Sequence, residues 1–256
     1  MTLHRLRLAL QTEPKKLLNR LGLRQRPKVF AVGFNKTGTT SLHVLFKSLG
    51  LPASHGPLWR TGDRATLRAH DAFSDGIPGD IAALDAAHPG AAFILQVRDL
   101  RSWVISRLGH IARKKAAGNL PGGGPKWDVT EFAVRAWIED RNAYHLAVLE
   151  HFRQRPDDLL VINYIREPDA AARVAGFLGF DASAQKPRFN AAPKRQPPEH
   201  FAALLDRALA GLGIPDAEAD YDLYCPSLLA SGETLPWPPD TSMMERSPEA
   251  ATRARS

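Results

Sequence analysis

Lys28-Val-Phe-Ala-Val-Gly-Phe-Asn-Lys-Thr-Gly-Thr-Thr-Ser-Leu42 runs an apolar stretch directly into a glycine- and hydroxyl-rich turn. Val29 to Val32 form a β-branched and aromatic run that predicts a strand, Gly33 and Gly38 permit a tight turn, and Leu42, Leu45, Phe46 and Leu49 return at helical spacing. A strand, turn and helix of this composition point backbone N–H groups and the positive end of a helix dipole at an anion. Gly33 and Gly38 match the glycines of the phosphate-loop pattern G-x-x-x-x-G-K-[ST], but Thr39 stands at the lysine position and Lys36 lies inside the loop. A cation in that place reaches an anion from the loop and not from the helix.

Phe93-Ile-Leu-Gln-Val97 reads as a second buried strand; Arg98 follows it, and Ser106 comes eight residues later on a predicted helix from Leu100 to about Lys115. The two stretches together resemble the sulfotransferases that use 3′-phosphoadenosine 5′-phosphosulfate (PAPS), especially the bacterial branch with a Lys-Thr-Gly-Thr-Thr-Ser-Leu loop. The likeness covers roughly residues 28 to 190 and takes in Leu159-Leu-Val-Ile-Asn-Tyr164 and Phe177-Leu-Gly179. It implies an α/β fold, a single domain like that of phosphate-loop proteins, with a central parallel sheet flanked by helices. It also implies that Lys36, Thr37, Gly38, Thr39, Thr40 and Ser41 hold the 5′-phosphosulfate, with Lys36 stabilising charge on the leaving phosphate. By the same resemblance Arg98 and Ser106 bind the 3′-phosphate and Tyr164 lies on the adenine side. Lys194 and Arg195, in Pro187-Arg-Phe-Asn-Ala-Ala-Pro-Lys-Arg195, correspond to the loop that closes over the 3′-phosphate, although the glycine-containing basic motif of the cytosolic eukaryotic enzymes is absent. PAPS is then the sulfuryl donor and PAP the product.

The residues support that chemistry on their own terms. A sulfuryl group carries less negative charge than a terminal phosphoryl group, so fixed cations and N–H donors suit its transfer where a kinase recruits Mg²⁺. No dense acidic cluster lies near the loop in the sequence, and no metal is expected. Arg98 offers a planar fork for bidentate phosphate contact. Two residues are candidates to take a proton from the acceptor: His55 in Ser54-His-Gly-Pro57, and Asp75 before Gly76. Both are expected in loops at the C-terminal edge of the sheet, where open α/β folds bind ligands. His43 reads as a packed or surface histidine, and His110, near Arg113, Lys114 and Lys115, as part of a solvated helix end. The alternatives are a nucleotide-dependent kinase of the phosphate-loop class and a catalytically silent PAP-binding protein docked on membranes.

Composition frames the reading. The chain has 256 residues, 44% of them hydrophobic, enough for one sizeable core. The lone Cys225 gives neither a disulfide framework nor a cysteine zinc site, and no signal core or membrane span is visible; a cytoplasmic protein, peripheral at most on the inner membrane surface, is expected. The formal charge of +7 comes entirely from residues 1 to 28, where eight basic residues face the single Glu13; the remainder holds 26 of each sign, which argues against a nucleic-acid partner. Residues 1–27 read as a basic amphipathic leader, 28–235 as the α/β domain and 236–256 as a loosely attached tail. In the leader Leu3, Leu6 and Leu10 share one helical face, and Thr12-Glu-Pro14 reads as the start of a second helix carrying Leu17, Leu18 and Leu21. Such a segment suits an anionic membrane surface through residues 1–26, or else docks on the domain with solvated arginines. The acceptor is expected to be a small molecule or lipid, with Trp59, Trp103, Trp127 and Trp137 as candidates for an apolar acceptor site.

Overall fold

The computed structural model describes residues 3–24, 26–120, 124–181, 183 and 198–230, with the backbone alone at 3–9 and 11. Within them the strands are β1 (Val29–Ala31), β2 (Ala53–His55), β3 (Ala72–Ser74), β4 (Ala92–Gln96) and β5 (Leu159–Ile162). The helices are α1 (Leu3–Arg20), α2 (Thr39–Ser48), α3 (Arg64–Ala69), α4 (Ile81–Ala87), α5 (Leu100–Ala116), α6 (Glu131–His151), α7 (Ala170–Phe177) and α8 (Glu199–Leu212). They fall into two compact units, one formed from the described residues of Met1–Val97 and Gln154–Ala191, the other from those of Arg98–Arg153 and Ala192–Ser256.

The first unit is an α/β structure around one parallel sheet in the order β2-β3-β1-β4-β5. Parallel strands are joined by crossovers, so their apolar residues must be covered on both faces. The register shows how the two faces differ. Phe30 lies opposite Phe73 and Phe93 and stacks on both, at 5.0 and 5.6 Å between ring centroids, and Trp59 and His88 complete an aromatic layer. On the other face Val29, Ala31, Ala72 and Ile94 pack with Leu42, Leu45 and Phe46 of α2 and with Ala170, Ala171 and Val174 of α7. Burying each of these large side chains contributes about 1.5–3 kcal/mol.

The leader is built into this unit. Thr12-Glu-Pro14 does not begin a second helix, because Pro14 lies inside the continuous α1. Pro14 lacks the N–H that would bond the carbonyl of Leu10, and tertiary bonds compensate: Lys15 Nζ donates to Gly50 O at 2.7 Å and Asn19 Nδ2 to Asp71 Oδ1 at 2.8 Å. Arg24 Nη1 donates to Asp71 Oδ2 at 2.5 Å, so a carboxylate that is 1% exposed has both oxygens engaged. The leader helix is docked on the domain, against α2 and α3.

In the second unit α5 and α6 both pack on α8. Arg141 is buried there, and its Nη2 donates to the carbonyls of Arg98 (3.1 Å), Tyr221 (3.0 Å) and Asp222 (2.6 Å). Helix α6 starts at Glu131, where Thr130 caps it by accepting from Ala133 N. Helix α8 has no counterpart in the sequence reading; its buried Phe201, Leu204, Leu205, Ala208 and Leu209 recur at helical spacing directly after Pro198. Trp59, Trp103 and Trp137 are 1–2% exposed and belong to the core, which leaves Trp127 alone of the four at a surface.

One backbone approach fixes the centre of the sheet. A Cβ on Gly33 would lie 2.3 Å from Gln96 O, while Gly33 N donates to Gln96 Oε1 at 2.7 Å. Gly33→Ala must push the chain leaving β1 away from β4 and is expected to lower the unfolding free energy by about 2–3 kcal/mol in a denaturant titration. Gly79→Ala, which meets nothing within 4 Å, is expected to change it by less than about 1 kcal/mol.

Candidate functional site

The parallel sheet brings the C-terminal ends of its strands to one edge, and the sequence candidates of the first unit all follow those ends. The Gly33–Gly38 turn follows β1, His55 is the last residue of β2, Asp75 comes directly after β3, and Tyr164 comes two residues after β5. His55 therefore differs from expectation: it is paired in the sheet opposite Ser74 and is not in a loop, while Asp75 is in one.

The turn has the character of an anion cradle. Gly38, at φ +94°, is the N-cap of α2 and provides no side-chain cap. Helix starts leave their first N–H groups outside the intrahelical ladder, and here no capping oxygen from Gly38 competes for them. Beneath it a Cβ on Gly38 would stand 3.3 Å from Ile165 and 3.4 Å from Tyr164, so a side chain there is strained by φ and would press on Ile165. Tyr164 itself is 1% exposed and lies in the apolar cluster with Leu42 and Phe46; burial pushes its hydroxyl pKa up. Its ring braces the turn from below.

Thr37 is buried, and its hydroxyl donates to Phe34 O at 2.6 Å, which shapes the loop and commits that hydroxyl to the backbone. Thr39, at the position where a nucleoside triphosphatase carries lysine, is 6% exposed. Thr40, Ser41 and Lys36 are half-buried at the turn. Lys36 has φ +75° and Asp75 φ +88°, and they are the two non-glycine residues with positive φ among the described residues. Such backbone costs about 1–3 kcal/mol at a residue with a Cβ and persists where the surroundings over-determine it. No feature of composition marks it in advance. The two strained residues are also linked through a neighbour, since Asn35 Nδ2 donates to Asp75 Oδ1 at 3.4 Å.

Beside the loop lies a histidine pair that the sequence did not bring together. His43, in the first turns of α2, has its ring 5.2 Å from that of His55. Burial, followed by the nearby His55, Lys47, His70 and Lys16, pushes the His43 pKa down to about 3. His55 Nδ1 sits 2.9 Å from Ser74 Oγ, and the buried Ser74 is held in turn by its carbonyl, which accepts from Trp59 Nε1 at 3.0 Å. Burial lowers the His55 pKa, with Asp75 acting in the opposite sense. With the proton on Nδ1 donated to Ser74, Nε2 carries the free lone pair of a neutral base. Ser74 is thus a neighbour of His55 that the sequence reading missed, and the strand register Ser54↔Phe73, His55↔Ser74 is the signal that places it.

Arg98 opens the second unit, two residues past β4 in the chain. Asp99 caps α5 by accepting from Ser102 N at 2.8 Å, Arg141 holds the Arg98 carbonyl, and burial lowers the Arg98 pKa while Asp99 raises it. Ser106 is half-buried on α5, six residues from its start, or about 9 Å of helix rise. Lys194 and Arg195 lie outside the described residues, as does the expected tail 236–256. Among the described residues no group of three or more His, Cys, Asp or Glu could hold a metal ion, and no helix is long and apolar enough to cross a membrane.

No protein-family model and no curated protein sequence matches the chain. Among solved structures it is similar in fold to a sulfotransferase from Alicyclobacillus acidocaldarius, with 16% identity, a TM-score of 0.43, and coverage of 73% of this chain and 94% of that one. It is also similar to mouse sulfotransferase SULT7A1, crystallised with PAP, with 13% identity, a TM-score of 0.40, and coverage of 96% and 87%. At those scores the chemistry of this chain has to be argued from its own residues.

Proposed function

We propose that the protein is a sulfotransferase that moves a sulfuryl group from PAPS to a hydroxyl or amine of a small-molecule or lipid acceptor. The observation that carries the reading is the Gly33–Gly38 turn, with Lys36 forced into the left-handed region inside it and a buried Thr39 where a nucleoside triphosphatase places its lysine. That arrangement favours an anion held by loop N–H groups and a loop cation over the Mg²⁺-centred handling of a nucleoside triphosphate.

PAPS, when bound, supplies an activated sulfuryl group whose bond to the 5′-phosphate breaks as a bond to the acceptor's oxygen or nitrogen forms. The chain's residues divide the remaining work. The N–H groups of Thr39 and Thr40 and the Lys36 ammonium hold the phosphosulfate end and stabilise charge left on phosphate oxygen. Arg98 and Ser106 are assigned the 3′-phosphate. His55 Nε2 accepts the acceptor's proton, because Ser74 fixes the ring through Nδ1 and burial keeps it neutral. Asp75, which favours the protonated form of His55, steadies the charge that His55 then gains.

Two outcomes follow. In calorimetry PAP is expected to bind without added metal, and Arg98→Ala is expected to weaken it by about 10- to 100-fold; ATP binding that requires Mg²⁺, with no PAP binding, would replace this reading by a kinase. In an assay with labelled PAPS and a panel of acceptors, His55→Gln is expected to lower kcat by about 10²- to 10⁴-fold while leaving PAP affinity nearly unchanged. Because burial favours the neutral ring, the wild-type rate is expected to fall with acid only below the ordinary imidazole value of 6.5. Loss of activity in Asp75→Asn with full activity in His55→Gln would move the base to Asp75. PAP binding without transfer to any acceptor would leave a silent binding protein.

A further inference from the structure

A surface helix ordinarily buries its leucines and turns its polar residues to water. Among its described side chains, from Leu10 onward, helix α1 does the reverse. Toward the first unit it turns Thr12, Lys15 and Asn19, the last two tied to Gly50, Ala69 and Asp71 by hydrogen bonds. Outward it turns Leu10, Pro14, Leu17 and Leu21, spaced four, three and four residues apart, which is one stripe of a helix. Leu10, Leu17 and Leu21 are 69, 56 and 61% exposed; Leu18 flanks the stripe and Leu23 extends beyond it, both exposed as well. A row of leucines left in water on a helix that is already docked has a purpose other than packing the protein.

The stripe ends at a second unusual feature. Leu21 is also part of the wall of a concavity of about 790 Å³, whose lining includes Arg20, Arg24, Arg26, Lys28, Arg64 and Arg68 and contains no aspartate or glutamate. Three of these cations have structural engagements: Arg24 with Asp71, Lys28 with the carbonyl of His70, and Arg26 over the ring of Phe180. Arg20, Arg64 and Arg68 are exposed, and among the described residues none of them pairs with a carboxylate. Six like charges around one opening repel each other; burial lowers the Lys28 pKa, with Asp71 opposing that shift and Arg24 adding to it. An anion placed there relieves the repulsion.

We propose that the leucine face of α1 and the adjoining basic pocket form one docking surface for an anionic lipid bilayer. The leucines enter the boundary between headgroups and acyl chains, and the pocket receives phosphodiester headgroups. Continuity through Leu21 selects this occupant. A soluble anion would fill the pocket and leave the leucines in water. A second copy of the chain would bring two sets of unneutralised arginines together, since the net charge of +7 sits wholly in residues 1 to 28. The proposal is independent of which donor the enzyme uses.

The test is sedimentation of the full chain with vesicles of phosphatidylcholine alone or with about one third phosphatidylglycerol. Binding is expected only to the anionic vesicles. The double variant Arg64→Ser/Arg68→Ser is expected to weaken it by about 25-fold, at roughly fivefold per charge. Leu17→Asn/Leu21→Asn is expected to weaken it by about tenfold or more. All four side chains are exposed, so thermal unfolding of both variants is expected to match the wild type. Equal binding to both vesicle types, no binding to either, or full binding by the leucine variant would overturn the proposal. Release from anionic vesicles by millimolar inorganic phosphate at constant ionic strength would show a soluble-anion site instead, and a concentration-dependent dimer abolished by the leucine variant would show a second copy.

Discussion

The close passage of the chain leaving β1 over Gln96 is the constraint on which the rest of the first unit depends. At Gly33 no side chain fits between the two segments, and the Gln96 side chain bonds the Gly33 N–H directly. This fixes where β1 stops relative to β4, and so where the turn to α2 begins. The direction of α2, the position of Lys36 and the support that Tyr164 gives Gly38 all follow from that junction. A turn whose N–H groups must hold fixed positions needs this kind of foundation, because such donors act through position more than through strength.

Strain and neutrality are the two other physical themes at this edge of the sheet. Lys36 and Asp75 are held in backbone conformations that their side chains disfavour, and they flank the same loop through Asn35. His43 and His55 are held neutral by burial, at the edge of the sheet where the Gly33–Gly38 turn lies. Neither theme stabilises the fold. Both make sense where binding and proton transfer set the requirements.

What could be read from the sequence was local. The strand, turn and helix from Lys28 to Leu49 and the strand ending before Arg98 are written in contiguous residues, and the structure has them where periodicity puts them. The parallel α/β architecture was what the resemblance carried by those segments implied, and the structure has it. Features that depend on distant partners were not legible. Pro14 looks like a helix start until Lys15 and Asn19 find Gly50 and Asp71. His55 looks like a loop residue until Ser74 lies beside it, and β3 is only three residues long. Tryptophans that suggested an acceptor site proved to be core, because composition records that a ring is present and not which side of it is wet. The structure leaves Lys194 and Arg195 where the sequence put them, as an expectation.

The interrupted path of the sheet also has a meaning during synthesis. Strand β4 gains its outer neighbour only from β5, and the whole of α5 and α6 is translated between them. Until Leu159–Ile162 leaves the ribosome, the edge of Ala92–Gln96 that faces away from β1 has no partner from its own sheet. An apolar edge of that kind is the usual starting point for mispairing. The nascent chain therefore carries an aggregation hazard in mid-translation, after the Gly33–Gly38 turn has been made and before β5 has arrived.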